Sequence, residues 1–128
     1  MVQRIFGNLC RRLYRIVFSV SLRPLSPDPA PGEVTSRYLR QSGHYNATAG
    51  RVKPQAFHPA RADHKTSIFR VQGLSERQIW NLGDAHIIQP RGKEVRARGE
   101  LSVAQVAGVG LRVESAEPPP RHANIVDW

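Results

Sequence analysis

The residues of this sequence most able to do chemistry are its cations. Arginine binds phosphate or carboxylate through two parallel N–H bonds, and lysine supplies a compact point charge. The candidates for contact with a phosphate or an acidic partner are Arg51, Lys53, Arg70, Arg91, Lys93, Arg96, Arg98, Arg121 and His122. They are densest between residues 91 and 98, where Gly92 lets a backbone approach a phosphate closely. The alternative is a solvated basic face, which Glu94 and Glu100 partly neutralise.

Histidines offer a second kind of chemistry. His122 follows Arg121 and a run of three prolines, whose rigidity fixes the direction in which His122 is presented. A zinc site built from His58, His64 and His122 is one reading, but we expect the first two to be ordinary loop residues. No spacing matches a metal-binding helix, a nucleophile elbow or a phosphate-binding loop. The sequence therefore predicts no catalytic residue, no metal and no cofactor.

The net charge of +9 is unevenly divided along the chain. Residues 1–27 contain five arginines and no acid, whereas residues 28–128 contain fourteen Lys and Arg against ten Asp and Glu. The body is therefore moderately basic, which indicates a nucleic-acid partner without requiring one. A length of 128 residues fits one domain. The single cysteine, Cys10, excludes an intramolecular disulfide, and we expect a cytoplasmic location.

The first 22 residues have an amphipathic pattern. Apolar residues from Ile5 to Val20 fall at helical spacing, with arginines between them. The pattern predicts a basic helix outside the fold, without an apolar run that could span a bilayer. Contact with a membrane surface, a transit peptide, a poor signal peptide and an extension from a misassigned start codon remain open. Four prolines then predict an extended linker over residues 23–35, and the domain is expected at residues 36–128.

The domain is predicted to be α+β. Strands are expected at residues 67–71, 95–98 and 111–114, where apolar and polar residues alternate, and they would form a small antiparallel or mixed sheet with arginine at its edges. Residues 35–41 predict one or two turns of helix.

Two matched helix starts are the strongest local signal. Ser75 and Ser102 each follow a leucine and precede a glutamine by three residues, which predicts a capping box with a hydrophobic staple. Gly83 and Gly110 are expected to end the two helices in the left-handed conformation. Trp80 is expected to be the large core residue of the first helix.

Three motifs carry a resemblance to known sequences. They are RVKPQAFHP from Arg51, SIFR from Ser67 with the following GLS and IW, and PPPRHANIV from Pro118. They resemble a group of small uncharacterised bacterial proteins across residues 36–128. The resemblance implies the domain limits and no activity. In that group the last motif runs on as IVGWP with a further segment, whereas this sequence has Asp127-Trp128, and the loss of a C-terminal helix stays open.

The sequence predicts a small basic binding or accessory domain that contacts nucleic acid or an acidic protein. The alternative is a small transferase or hydrolase that holds a phosphorylated substrate in a pocket made by Arg121 and His122 with Arg51, Lys53 and Arg70. A third hypothesis is attachment to a membrane surface through residues 1–22.

Overall fold

Backbone hydrogen bonding divides the chain into strands and short helices. The computed structural model describes residues 2–4, 22–23, 25–88, 94–95 and 97–128. The strands are β1 (Val2–Arg4), β2 (Val34–Leu39), β3 (Tyr45–Asn46), β4 (Arg51–Val52), β5 (Thr66–Arg70), β6 (Ala97–Ser102), β7 (Arg112–Ser115) and β8 (His122–Val126). The α-helices are α1 (Glu76–Gly83) and α2 (Val103–Gly108). A π-helical turn, Asp84–Ile88, follows α1, and two 3-10 turns occur at Ser42–His44 and Pro54–Phe57.

Six strands form one sheet in the order β1-β6-β2-β5-β8-β7, and β3 and β4 form a separate hairpin. Every strand pair within the described residues is antiparallel. The predicted α+β class is therefore confirmed, and of the two sheet types left open the antiparallel one is present.

Strand β2 lies inside the sheet, between β6 and β5, so the helix predicted at residues 35–41 is wrong. Thr35 pairs with Leu101 on one side and with Arg70 on the other. Its hydroxyl also donates to the Leu101 carbonyl at 2.8 Å. Pairing on both edges outweighs the weak helical preference of this short stretch.

The sheet is covered on both faces by separate apolar clusters. On the first face, the cluster is formed by the strand residues Leu39, Ile68 and Ala97. Phe57 from the second 3-10 turn and Val106 from α2 pack against them. On the second face, the apolar residues packed together are Tyr38, Phe69, Val71, Ile79, Leu82 and Val95. Burial of apolar surface on both sides is the main stabilising contribution for a domain of this size.

Both predicted helix starts are confirmed. The Ser75 hydroxyl accepts from the Gln78 amide at 3.2 Å, and the Gln78 side chain accepts from the Ser75 amide at 2.9 Å. Ser102 and Gln105 form the same pair of bonds at 3.0 and 2.9 Å. Each capping box provides hydrogen-bond acceptors for two backbone N–H groups, which would have no partner in an uncapped helix.

The two helix ends differ from each other. Gly110 has φ +82 and is a left-handed stop, as predicted. Gly83 is not, because the chain continues into the π-helical turn. A Cβ at Gly83 would lie 2.8 Å from Cε1 of the Tyr38 ring, so this glycine permits close packing of α1 on the sheet. Trp80 is half-buried and packs against the second cluster.

Some described residues before position 36 contact the sheet. Val2–Arg4 pairs with β6, Leu22 packs against the second cluster, and Glu33 is buried beside β2. The predicted limits of tail, linker and domain stay a prediction, and the helix predicted from Ile5 to Val20 lies outside the described residues. Among the residues that the structure describes, no helix is long and apolar enough to cross a membrane.

Candidate functional sites

Arg70 lies inside the domain. Its side chain is 1% exposed, and Nη2 donates to Oε2 of Glu33 at 2.9 Å while Nε donates to Oε1. A guanidinium held by both oxygens of a buried carboxylate has its charge balanced within the fold. The structural role of Arg70 is therefore to connect β5 to Glu33, the residue that precedes β2.

Arg98 is also buried, on the second face of the sheet beneath α1. Its Nη1 donates to Glu100 at 2.6 Å, and its Nη2 donates to Glu76 in the first turn of α1. A carboxylate at this end of a helix is favoured by the helix dipole, and the arginine below it balances its charge. This pairing fastens α1 to β6.

Arg121 is 4% exposed and has φ +67, in the left-handed region. Its guanidinium donates to the carbonyls of Arg23 at 2.8 Å and Gln72 at 3.1 Å. Burial and the nearby Arg70 lower its pKa, and Glu33 and Glu117 act in the opposite direction. The Arg121 side chain therefore connects its own segment, before β8, to the backbone at Arg23 and at Gln72.

His122 forms a hydrogen-bonded pair with Ser67, a residue that the sequence did not single out. Nε2 lies 2.7 Å from the Ser67 hydroxyl oxygen, and Nδ1 lies 2.9 Å from the Ala116 carbonyl oxygen. Because a carbonyl can only accept, Nδ1 carries a proton, and in the neutral ring Nε2 then accepts from the serine hydroxyl. The ring packs edge-on against Phe69 on the second face of the sheet, with centroids 5.4 Å apart.

Of the candidates that the structure describes, Arg51 and Lys53 are the two whose side chains are exposed. They flank the buried Val52 in the hairpin of β3 and β4, so both point away from the core. The Lys53 amide donates to the His44 carbonyl at 2.8 Å, which joins the hairpin to the preceding 3-10 turn. Neither side chain forms an ion pair with the described residues.

The neighbourhood of this hairpin is basic. Residues 40–65 contain five Lys and Arg and three histidines, against the single acid Asp63. Burial lowers the pKa of His44, and electrostatic interaction with Arg37 and His58 lowers it further. We call His44, Asn46, Arg51, Lys53 and His58 the hairpin surface.

The predicted site residues that the structure describes do not converge on one site: Arg121 contacts the backbone of Arg70, but the hairpin residues lie apart from both. The hairpin packs on the first face of the sheet through Val52, whereas His122 and Arg98 lie on the second face. Arg91, Lys93 and Arg96 lie outside the described residues. Within the described part of the chain, no cluster of three or more His, Cys, Asp or Glu is placed to hold a metal ion.

No family model, curated protein or solved structure matches this chain.

Proposed function

We propose that the protein is a nucleic-acid-binding domain that contacts phosphates through the hairpin surface. The observation that carries the proposal is the pair of exposed cations, Arg51 and Lys53, on a two-stranded hairpin within a stretch of five cations and one acid. Exposed Lys and Arg without acidic neighbours release condensed counterions when they meet a phosphate backbone, and this supplies affinity.

The composition of the hairpin surface favours contact with the backbone over reading of bases. The aromatic residue of the hairpin, Tyr45, is half-buried and packs against the first cluster, so it offers little ring for base stacking. His44, whose pKa is lowered, is neutral at pH 7 and can hydrogen-bond to a phosphate or a sugar. We therefore expect binding with weak sequence preference and strong dependence on salt.

The proposal excludes the buried cations. Arg70, Arg98 and Arg121 are occupied by carboxylates or carbonyls inside the fold, and removing them from these partners would cost stability. The alternative of a phosphorylated substrate is less favoured, because it needs Arg51 and His122 in one pocket and they belong to opposite faces of the sheet. As part of the same proposal we place the protein in the bacterial cytoplasm.

The test is a salt titration of binding by fluorescence anisotropy. Labelled single-stranded and duplex oligonucleotides of mixed sequence are titrated with the wild-type protein, an Arg51→Gln/Lys53→Gln variant and an Arg112→Gln control. Arg112 is also an exposed arginine, on β7, but it is paired with Glu114 and Asp127.

We expect the double variant to bind more weakly and to lose up to about 1.8 units of the slope of log K against log salt for duplex, or about 1.4 for single strands. The control should match wild type. Absence of binding by wild type at low ionic strength would contradict the proposal, as would equal loss in the control. Binding to polyglutamate but not to nucleic acid would instead support an acidic protein partner.

A further inference from the structure

Ser67 and His122 are arranged as a nucleophile and a general base. In the neutral ring, their 2.7 Å hydrogen bond runs from the serine hydroxyl to Nε2, while Nδ1 donates to a carbonyl. This is the relation by which a histidine activates a serine in acyl transfer, with a third group that fixes the tautomer of the base. The bond joins two residues that lie 55 positions apart in the sequence.

The supporting structure holds both side chains in place. Ser67 and His122 lie on the adjacent strands β5 and β8, where Phe69 pairs with His122 in register and packs against its ring. Both residues are half-buried, so each retains some access to solvent. A dyad on paired strands is positioned more rigidly than one on loops.

Asn124 supplies a group for the developing negative charge. It pairs with Ser67 across β5 and β8, so the two side chains leave the same face of the sheet about 5 Å apart at Cβ. Asn124 is half-buried, and its amide makes no side-chain hydrogen bond to the described residues. An amide N–H beside the attacked carbonyl stabilises an oxyanion.

The charges near the dyad indicate the class of substrate. Glu114 pairs with Asn124 from β7 and lies on the same face, where Arg112 balances its charge. The guanidinium of Arg121 donates to the carbonyls of Arg23 and Gln72. Arg37, on the same face of β2 as Leu39 and therefore on the first face of the sheet, donates to the carbonyls of Ser67 and Ala56. Because both guanidinium groups are held by carbonyls, we infer that the dyad favours a neutral ester over a phosphate ester.

We propose that Ser67, His122 and Asn124 form a site that hydrolyses neutral carboxylic esters. The Ser67 oxygen bonds to the carbonyl carbon while its proton passes to Nε2 of His122. The ester C–O bond then breaks, and the proton goes to the leaving alkoxide, which gives an alcohol and an acyl-serine. Water attacks the acyl group as His122 takes its proton, and the proton returns to Ser67 when the acid leaves.

The acceptor that orients His122 is a carbonyl oxygen, whereas the Ser-His-Asp triad has a carboxylate in this position. The Ala116 carbonyl orients the ring, but a neutral dipole stabilises the imidazolium less than a full charge does. We therefore expect slow turnover and use covalent labelling as the readout. The site lies on the opposite face of the sheet from the hairpin surface. Ester hydrolysis at Ser67 and nucleic-acid binding at the hairpin surface can therefore be tested independently.

The test uses the full chain and a fluorophosphonate probe, which bonds covalently to activated serines. We expect one adduct, located at Ser67 by peptide mass spectrometry. Ser67→Ala should abolish it, and His122→Asn should slow it by about 100-fold or more, since general-base catalysis contributes about 10²–10⁴. Asn124→Ala should slow hydrolysis of p-nitrophenyl acetate, with a smaller effect on KM than on kcat.

Ser115→Ala is the matched control, since Ser115 is half-buried on β7 and pairs with Ala123, on the other face. It should label like wild type. Failure of folded wild-type protein to form an adduct at Ser67 would overturn the proposal without reference to any variant. An equal labelling rate in a folded His122→Asn protein would overturn it as well.

Discussion

Arg70 and Glu33 form an ion pair with two contacts inside the domain, with side chains 1% and 6% exposed. Glu33 also accepts from the Ala30 amide at 3.1 Å, so the pair joins the chain before β2 to the end of β5. Removal of either partner would leave a charge buried without its counterion, which is the costly state for such pairs.

Arg70→Met should lower the free energy of unfolding by about 3–5 kcal/mol, because it leaves the Glu33 carboxylate uncompensated. Urea denaturation at pH 7 measures the change. The matched control is Arg70→Met/Glu33→Gln, which removes both charges and should recover part of the loss. A loss of less than 1 kcal/mol in Arg70→Met alone would contradict the interior pairing.

Gly83→Ala should destabilise the domain by about 1–3 kcal/mol, because its Cβ would meet the Tyr38 ring at 2.8 Å and Tyr38 is packed in the second cluster. Gly108→Ala is the control, since a Cβ there meets nothing within 4 Å. That substitution should be neutral or stabilising by up to about 1 kcal/mol, because alanine favours helix. The midpoint of thermal unfolding should fall in Gly83→Ala and stay the same or rise in Gly108→Ala. Equal shifts of the midpoint in the two variants would argue against this packing of α1.

Ser75→Ala and Ser102→Ala should each cost about 1 kcal/mol, since each removes the acceptor for a backbone N–H at a helix start. Chemical denaturation measures both losses. The double variant should show the sum, because the two helices cover opposite faces of the sheet. Wild-type stability in both single variants would mean that the capping boxes do not hold these helix starts.

His86 should make the domain less stable in acid. Burial lowers its pKa, and the nearby His122 lowers it further, while its ring stacks on Phe69. Near and below pH 6.5 the unfolded chain therefore binds a proton more readily than the folded one, so stability falls as pH drops through the unfolded value. The loss in free energy of unfolding between pH 7.5 and 5.5 should be smaller in His86→Gln. An NMR midpoint for His86 above 6.5 would contradict this sign.

Features set by neighbouring residues could be predicted from the sequence. The capping boxes at Ser75 and Ser102 need only residues three apart, and the alternation around Ile68 and Phe69 identified the strand that became β5. The predicted strand at residues 95–98 is present as β6, but it begins at Ala97 and runs to Ser102. The residue at which a strand ends depends on the length of the strand that pairs with it, and a short sequence pattern does not contain this length.

Features set by distant residues could not be predicted. Strand β2 is extended because β5 and β6 pair with both of its edges, and no strand was predicted at β8 because the alternation of Ala123 and Ile125 is short. The buried arginines were taken for surface groups, since arginine is rarely buried without a partner, and Glu33 beside Arg70 and Glu76 beside Arg98 lie far along the chain. The pairing of Ser67 with His122 follows from the register of β5 against β8.

The most direct test of the hairpin surface is an NMR titration of ¹⁵N-labelled protein with a mixed-sequence oligonucleotide at low salt. The account predicts that amide shifts change at His44, Asn46, Arg51, Lys53 and His58, and that they return as salt is raised. Changes confined to α1 or β7, or a spectrum that the oligonucleotide leaves unchanged, would contradict it.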